Sequence, residues 1–195
     1  MKKFLALALA LVMTLALAAC GGGDGQKDGG AASGAIKIGG VGPLTGDAAI
    51  YGNAAKGGAE IAVEEINALG GLQFDLHYED AANDPEKSVN ADNTLKDWGM
   101  QVFLGSVTST PGVATAAESN ADHMFYLTPS ASSTDVIGGV ANPLTGSVDT
   151  PRRDNVFQMC FVDPNQGSAS AQYIYDQNLG SSIAVIYKND DVYST

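Results

Sequence analysis

Positive charge, cysteine and histidine are all scarce in this sequence, and each scarcity closes off a class of function. Ten Lys and Arg stand against 22 Asp and Glu, a formal charge of −12. A nucleic-acid binder draws affinity from basic clusters that neutralise phosphates. Beyond Lys2-Lys3 the only adjacent basic pair is Arg152-Arg153, in a stretch that reads as loop. No nucleic-acid partner is expected, and the acidity is read as serving solubility. The two cysteines, Cys20 and Cys160, supply neither a CxxC pair nor zinc-ligand spacing. Histidine occurs only at His77 and His123, and the nucleophile elbow GxSxG is absent, so a hydrolase built on a nucleophile, a histidine and an orienting acid finds no support. His77 beside Glu79 and Asp80 makes a weak metal cluster, and no acid/base pair is marked out by spacing. Gly40, Gly42 and Gly46 are spaced GxGxxxG, a poor match to a dinucleotide fingerprint, with Pro43 interrupting the turn. Neither an enzyme nor a cofactor is expected. Long apolar runs are also lacking, apart from residues 4–16, which are too short for a membrane span.

That one run has a different reading. Lys2-Lys3, the apolar stretch and then Leu17-Ala18-Ala19-Cys20 form a signal peptide over residues 1–19, ending at a cysteine placed as in the bacterial lipobox. The match implies cleavage before Cys20 and a lipid on its sulfur, anchoring the chain at a membrane without crossing it. An ordinary signal peptide with a chance cysteine is the alternative. Cleavage would remove two lysines and no acid, taking the formal charge to −14. Residues 20–35 are Gly-rich and aperiodic, as in a flexible tether. With Cys20 lipidated, Cys160 stands alone. Between Phe157, Met159 and Phe161 it reads as a buried core thiol.

The remaining chain alternates strand and helix patterns. Strands are expected at 36–42, 74–78, 102–104, 125–128, 156–161 and 183–187. Helices are expected at 53–69, 85–98, 111–120 and 164–179, the last behind Asp163 as its N-cap. Asp84-Pro85 and Asp163-Pro164 are helix-start signals, and Gly70-Gly71 and Gly180 are stops. The βαβα order predicts an α/β fold, an open parallel sheet with helices on both faces. The Gly/Pro/Asn-rich loop 135–154 suggests a boundary near Val162. The stretch MQVFLGSVTSTP (100–111) organises the whole. Its strand ends at Gly105 and opens into Ser106, Val107, Thr108, Ser109 and Thr110 before Pro111, with Thr110 as the expected N-cap. Phe125-Tyr126-Leu127 followed by Thr128-Pro129-Ser130-Ala131-Ser132-Ser133 repeats the layout. Open α/β sheets bind small ligands at such strand ends, where a helix N-terminus favours an anion such as a carboxylate. Hydroxyl loops that only cap helices are the plainer alternative.

Several segments together resemble bacterial lipoprotein solute-binding proteins of amino-acid ABC transporters, of the leucine/isoleucine/valine-binding type. They are Ile36-Lys37-Ile38-Gly39, Gly42-Pro43-Leu44-Thr45-Gly46, Tyr51-Gly52, Gly57 with Ala59-Glu60, Glu65-Ile66-Asn67, Gly70-Gly71 and Asp84-Pro85. Gly105 with its hydroxyl loop, Thr128-Pro129-Ser130-Ala131, Asp163-Pro164-Asn165-Gln166-Gly167 and Asp190-Asp191-Val192-Tyr193 continue the series. The resemblance implies a two-lobed periplasmic-binding type I fold that closes on its ligand by a hinge. Residues 36–162 would be an incomplete first lobe and 163–195 the start of a second, the rest of which lies beyond the sequence as it stands. It implies that Ser109 binds a ligand carboxylate through its hydroxyl and N–H, and that Ser130 offers backbone groups to carboxylate and ammonium. Ser132 stands where the family usually has threonine and keeps the hydroxyl. Tyr51, Val107 and Thr108 would line the side-chain pocket, and Tyr193 would be the second lobe's aromatic wall. The implied partners are a small amino acid, branched-chain by the aliphatic lean of Val107, and the membrane subunits of an ABC importer, with Cys20's lipid holding the protein at the extracytoplasmic face. With much of the second lobe absent, incomplete folding and weak binding are expected. A sensing receptor module of the same fold, a binder of another small carboxylate or amide, and a lipid-anchored enzyme remain as alternatives.

Overall fold

The computed structural model describes residues 34–194. The signal sequence, Cys20 and all but the last two residues of the tether lie outside the described residues. Five strands form one parallel sheet in the order β2-β1-β3-β4-β5: β1 (Ile36–Gly42), β2 (Phe74–Asp80), β3 (Val102–Leu104), β4 (Tyr126–Thr128) and β5 (Val156–Gln158). The connecting helices are α1 (Ala49–Ala68), α2 (Pro85–Trp98), α3 (Ser109–Ala121), α4 (Thr134–Ile137) and α5 (Asp163–Asp176). The strand order doubles back beside β1, so the loops after β1 and β3 open side by side, the position where such sheets hold ligands.

Local chemistry explains both ends of α2. The Asp84 carboxylate accepts the Lys87 N–H at 2.8 Å and caps α2, whose first residue is Pro85. Gly99, at φ 95°, ends that helix in the left-handed conformation, its N–H reaching the Leu95 and Lys96 carbonyls. Gly40 and Gly42 make room for neighbours: a Cβ on Gly40 would sit 2.2 Å from the Tyr78 ring, and one on Gly42 3.0 Å from Val107.

One face of the sheet is closed. Val41, Phe103, Tyr126 and Val156 are fully buried on it, together with Leu95 from α2 and Ala116 from α3. Phe103 and Tyr126 meet edge to face with centroids 5.2 Å apart, a pairing worth about 0.5–1.5 kcal/mol beyond burial. The Tyr126 hydroxyl pairs with Thr115 Oγ1 at 3.2 Å and donates to the Gly112 carbonyl, and burial pushes its pKa to about 12. The other face carries Ile38, Leu104, Phe125 and Leu127. Helix α1 leaves an apolar groove of about 450 Å³ against it, lined by Ala55, Ala59 and Val63 among others. At Phe125 and Phe157 the two rings stack 5.2 Å apart, and both residues are more than two-fifths exposed.

Several expectations are corrected. Residues 183–187 form no strand: the apolar run is there, but no neighbour pairs with it, and Ile186 is 98% exposed. Strand β5 ends at Gln158, three residues early. Cys160 beyond it is half-buried, and Met159 and Phe161 are exposed, so it is not a core thiol. Helix α3 starts two residues sooner, with Thr108 as N-cap and Pro111 third in the first turn. The long loop after β4 holds the one-turn helix α4, where Ser133 Oγ accepts the Asp135 N–H.

Candidate functional site

The loops after β1, β2, β3 and β4 surround a cavity of about 640 Å³. All seven site residues expected from the sequence line it: Tyr51, Val107, Thr108, Ser109, Ser130, Ser132 and Tyr193. Val107, Ser109 and Ser132 are buried to within 4% exposure, whereas Tyr51 is 64% exposed.

The hydroxyls are held in distinct states. Thr128 Oγ1, at the end of β4, donates to the Ser106 carbonyl at 2.7 Å and accepts the Ala131 N–H at 3.0 Å, tying the two hydroxyl loops together. Ser130 Oγ donates to the Val107 carbonyl at 2.6 Å. Its proton is therefore committed and its lone pairs remain, suited to accept from an ammonium. Ser109 Oγ accepts the Ser133 N–H at 3.3 Å, so its own proton remains available to an anion. Ser109 and Thr110 carry the first two N–H groups of the 13-residue helix α3, at its positive end.

At the end of β2, Asp80 clamps two loops. Its carboxylate accepts the N–H groups of Leu44 and Ala82, at 2.8 Å each, and the Thr45 hydroxyl at 2.5 Å. What burial there is would raise its pKa, but the Thr45 hydroxyl and the N–H groups of Ala82, Leu44 and Thr45 together hold it below the usual carboxylate range. On the α5 side, burial raises the Asp163 carboxyl, the neighbouring Asp191 adds to the rise, and the Ser132 hydroxyl opposes it. Tyr193 donates its hydroxyl to Gln166 Oε1 at 3.0 Å and its N–H to Asp191 Oδ1 at 3.0 Å.

The sequence reading missed seven cavity residues: Asp47, Ala48, Ala82, Asn83, Phe161, Lys188 and Asp191. Asn83 carried a signal, an Asn just before the Asp-Pro helix start, where left-handed backbone is common. Among the described residues no group of three or more His, Cys, Asp or Glu gathers as a metal site would, and no helix is long and apolar enough to cross a membrane.

A sequence profile described as periplasmic binding protein matches residues 35–195. Leu/Ile/Val-binding protein homolog 3 of Brucella melitensis biotype 1 is 32% identical over 160 residues, 80% of this chain and 40% of that protein. The leucine binding protein LivK from Thermotoga maritima superposes with a TM-score of 0.63 at 27% identity, over 74% of this chain and 38% of that one. The branched-chain amino acid transporter substrate binding protein LivJ from Streptococcus pneumoniae, solved in complex with isoleucine, gives 0.63 at 26% identity, over 74% and 39%. The chain spans about 40% of the length of the curated relatives it matches.

Proposed function

The chain belongs to the periplasmic binding protein family, and on that premise we propose that it captures a small amino acid, a branched-chain one, outside the cytoplasm and delivers it to the membrane subunits of an ABC importer. The observation that carries this reading is the pair of hydroxyl loops converging on one cavity, with the free proton of Ser109 and the open N-terminus of α3 on the same wall. A zwitterion must have donors for its carboxylate and acceptors for its ammonium, because a charge leaving water is costly unless it is paired. Ser109, with the α3 N–H groups, supplies the donors. Ser130 supplies an acceptor, and Asp47 and Asp191 add negative charge to the cavity lining. Ser132 adds a further buried hydroxyl to the cavity lining. Val107, Tyr51 and Tyr193, with Ala48 and Phe161, offer the apolar surface an aliphatic side chain would meet. Solute binding in the named relatives supports a binding role over catalysis. A lipid on Cys20 would keep the protein beside its importer.

Calorimetry on the purified chain without residues 1–19 tests the reading. L-Leucine, L-isoleucine or L-valine is expected to bind, and L-glutamate to bind more weakly. Ser109→Ala is expected to weaken leucine about tenfold or more, the usual worth of a hydrogen bond to a charged group. Absence of binding by every aliphatic amino acid would overturn it.

A further inference from the structure

We infer that Asn83 is a positioning residue for ligand capture: it draws the Thr108 hydroxyl away from capping α3 and so keeps the helix's N–H groups open for the ligand carboxylate. The inference rests on the amino-acid reading of the cavity. Thr108 is the N-cap of α3, with the extended backbone that the position calls for, φ −110° and ψ 155°. A threonine there ordinarily accepts the N–H of the second or third helical residue. The third is Pro111, which has none, so Thr110 N–H is the only such donor to cap. The Thr108 side chain makes no capping bond. Instead Thr108 Oγ1 donates to Asn83 Oδ1 at 2.6 Å.

Three features fit this diversion. Asn83 and Thr108 both line the cavity, 25 residues apart in sequence. Asn83 sits at φ 62° and its neighbour Ala82 at φ 47°. Asparagine tolerates that left-handed conformation, whereas for alanine it costs on the order of 1 kcal/mol, so the β2–α2 turn is held in a form that only its surroundings justify. Asp80 holds it there through the Ala82 N–H. The outcome is a helix of 13 residues whose first turn has a proline and an unused cap, and whose remaining donors are Thr110 N–H and the N–H of Ser109, the residue that lines the cavity beside Thr108.

The test uses Asn83→Gly, which removes the amide while accepting the positive φ, alone and combined with Thr108→Val, which has no hydroxyl to cap with. Amide hydrogen exchange of the ligand-free chain is expected to show slower exchange at Thr110 in the single Asn83→Gly variant than in the parent, and no slowing in the double variant. L-Leucine affinity is expected to fall about tenfold in Asn83→Gly, the worth of one hydrogen bond to a carboxylate, and to return in the double variant to the level of Thr108→Val alone. Unchanged Thr110 exchange, or a double variant as weak as Asn83→Gly, overturns the inference. If the parent chain binds no aliphatic amino acid, the ligand reading fails by itself, and the exchange result still decides whether Asn83 diverts the cap.

Discussion

Helices α2 and α5 start from the same two residues, Asp-Pro, and run the same 14 residues, yet they live in different surroundings. Helix α2 buries Ser88, Ala91, Asp92 and Leu95, while α5 buries none of its residues. Beyond α5, Leu179, Ile183, Val185 and Tyr187 are all more than half exposed. The Asp-Pro signal acts locally through a fixed φ and a cap in the first turn. Burial depends on whether another element lies opposite, and the α5 sequence does not encode that. The two carboxylates diverge as well. Asp84 is a true N-cap, accepting Lys87 N–H, whereas Asp163 is already the first helical residue behind Val162 and caps nothing.

The contrast can be broken most forcefully in the two helix interiors. Leu95→Ala opens a void in the closed core and is expected to cost about 2–5 kcal/mol. Tyr173→Ala in α5 should stay within about 0.5 kcal/mol, as exposed substitutions do. Urea titrations of both variants check this, and equal losses would mean that α5 is packed in solution. Gly105→Ala probes the core from the ligand side. Its Cβ would lie 2.1 Å from the Tyr126 ring, and overpacking of this kind costs about 1–3 kcal/mol. A shift in the Tyr126 environment, read by near-ultraviolet circular dichroism, should accompany the loss.

Smaller differences sharpen the comparison at the helix starts. Asp84→Ala should cost about 1 kcal/mol, the usual worth of an N-cap. Asp163→Asn should leave stability at pH 7 unchanged or higher, because the fold raises that carboxyl's pKa and so disfavours its ionised form. The smallest effect concerns acid. Asp80 has a folded-state pKa below its unfolded value, so its contribution is complete above the unfolded pKa and is lost as pH falls through the folded one. Stability curves of the parent and Asp80→Asn should therefore lie apart at pH 7 and converge in acid. Parallel curves across that range would show that the clamp does not depend on ionisation.

How far the sequence could be read differs by region. Strands β1 to β4 lie within a few residues of their expected places because alternation or a short apolar run between turn signals is sufficient there. The stop read at Gly70-Gly71 is a local conformational fact, both glycines lying at positive φ just beyond α1. The seven expected site residues share one cavity. The strand expected at 183–187 failed for a physical reason: a strand exists only when a neighbour takes its hydrogen bonds, and alternation says nothing about the neighbour. Thr110 was the wrong cap because proline is tolerated anywhere in a first helical turn, so Pro111 alone cannot fix which residue comes before the helix.

By itself the sequence determined the order of elements, the parallel sheet and the placing of small hydroxyl residues after β3 and β4, since each of these follows from periodicity and backbone preference over a few residues. Only the tertiary structure decided which hydroxyls keep a free proton, that Asn83 reaches Thr108 across 25 residues, and that one face of the sheet is closed while the other stays partly open. Those outcomes depend on groups far apart in the chain meeting at hydrogen-bond distance or in van der Waals contact, and no local pattern records such a meeting.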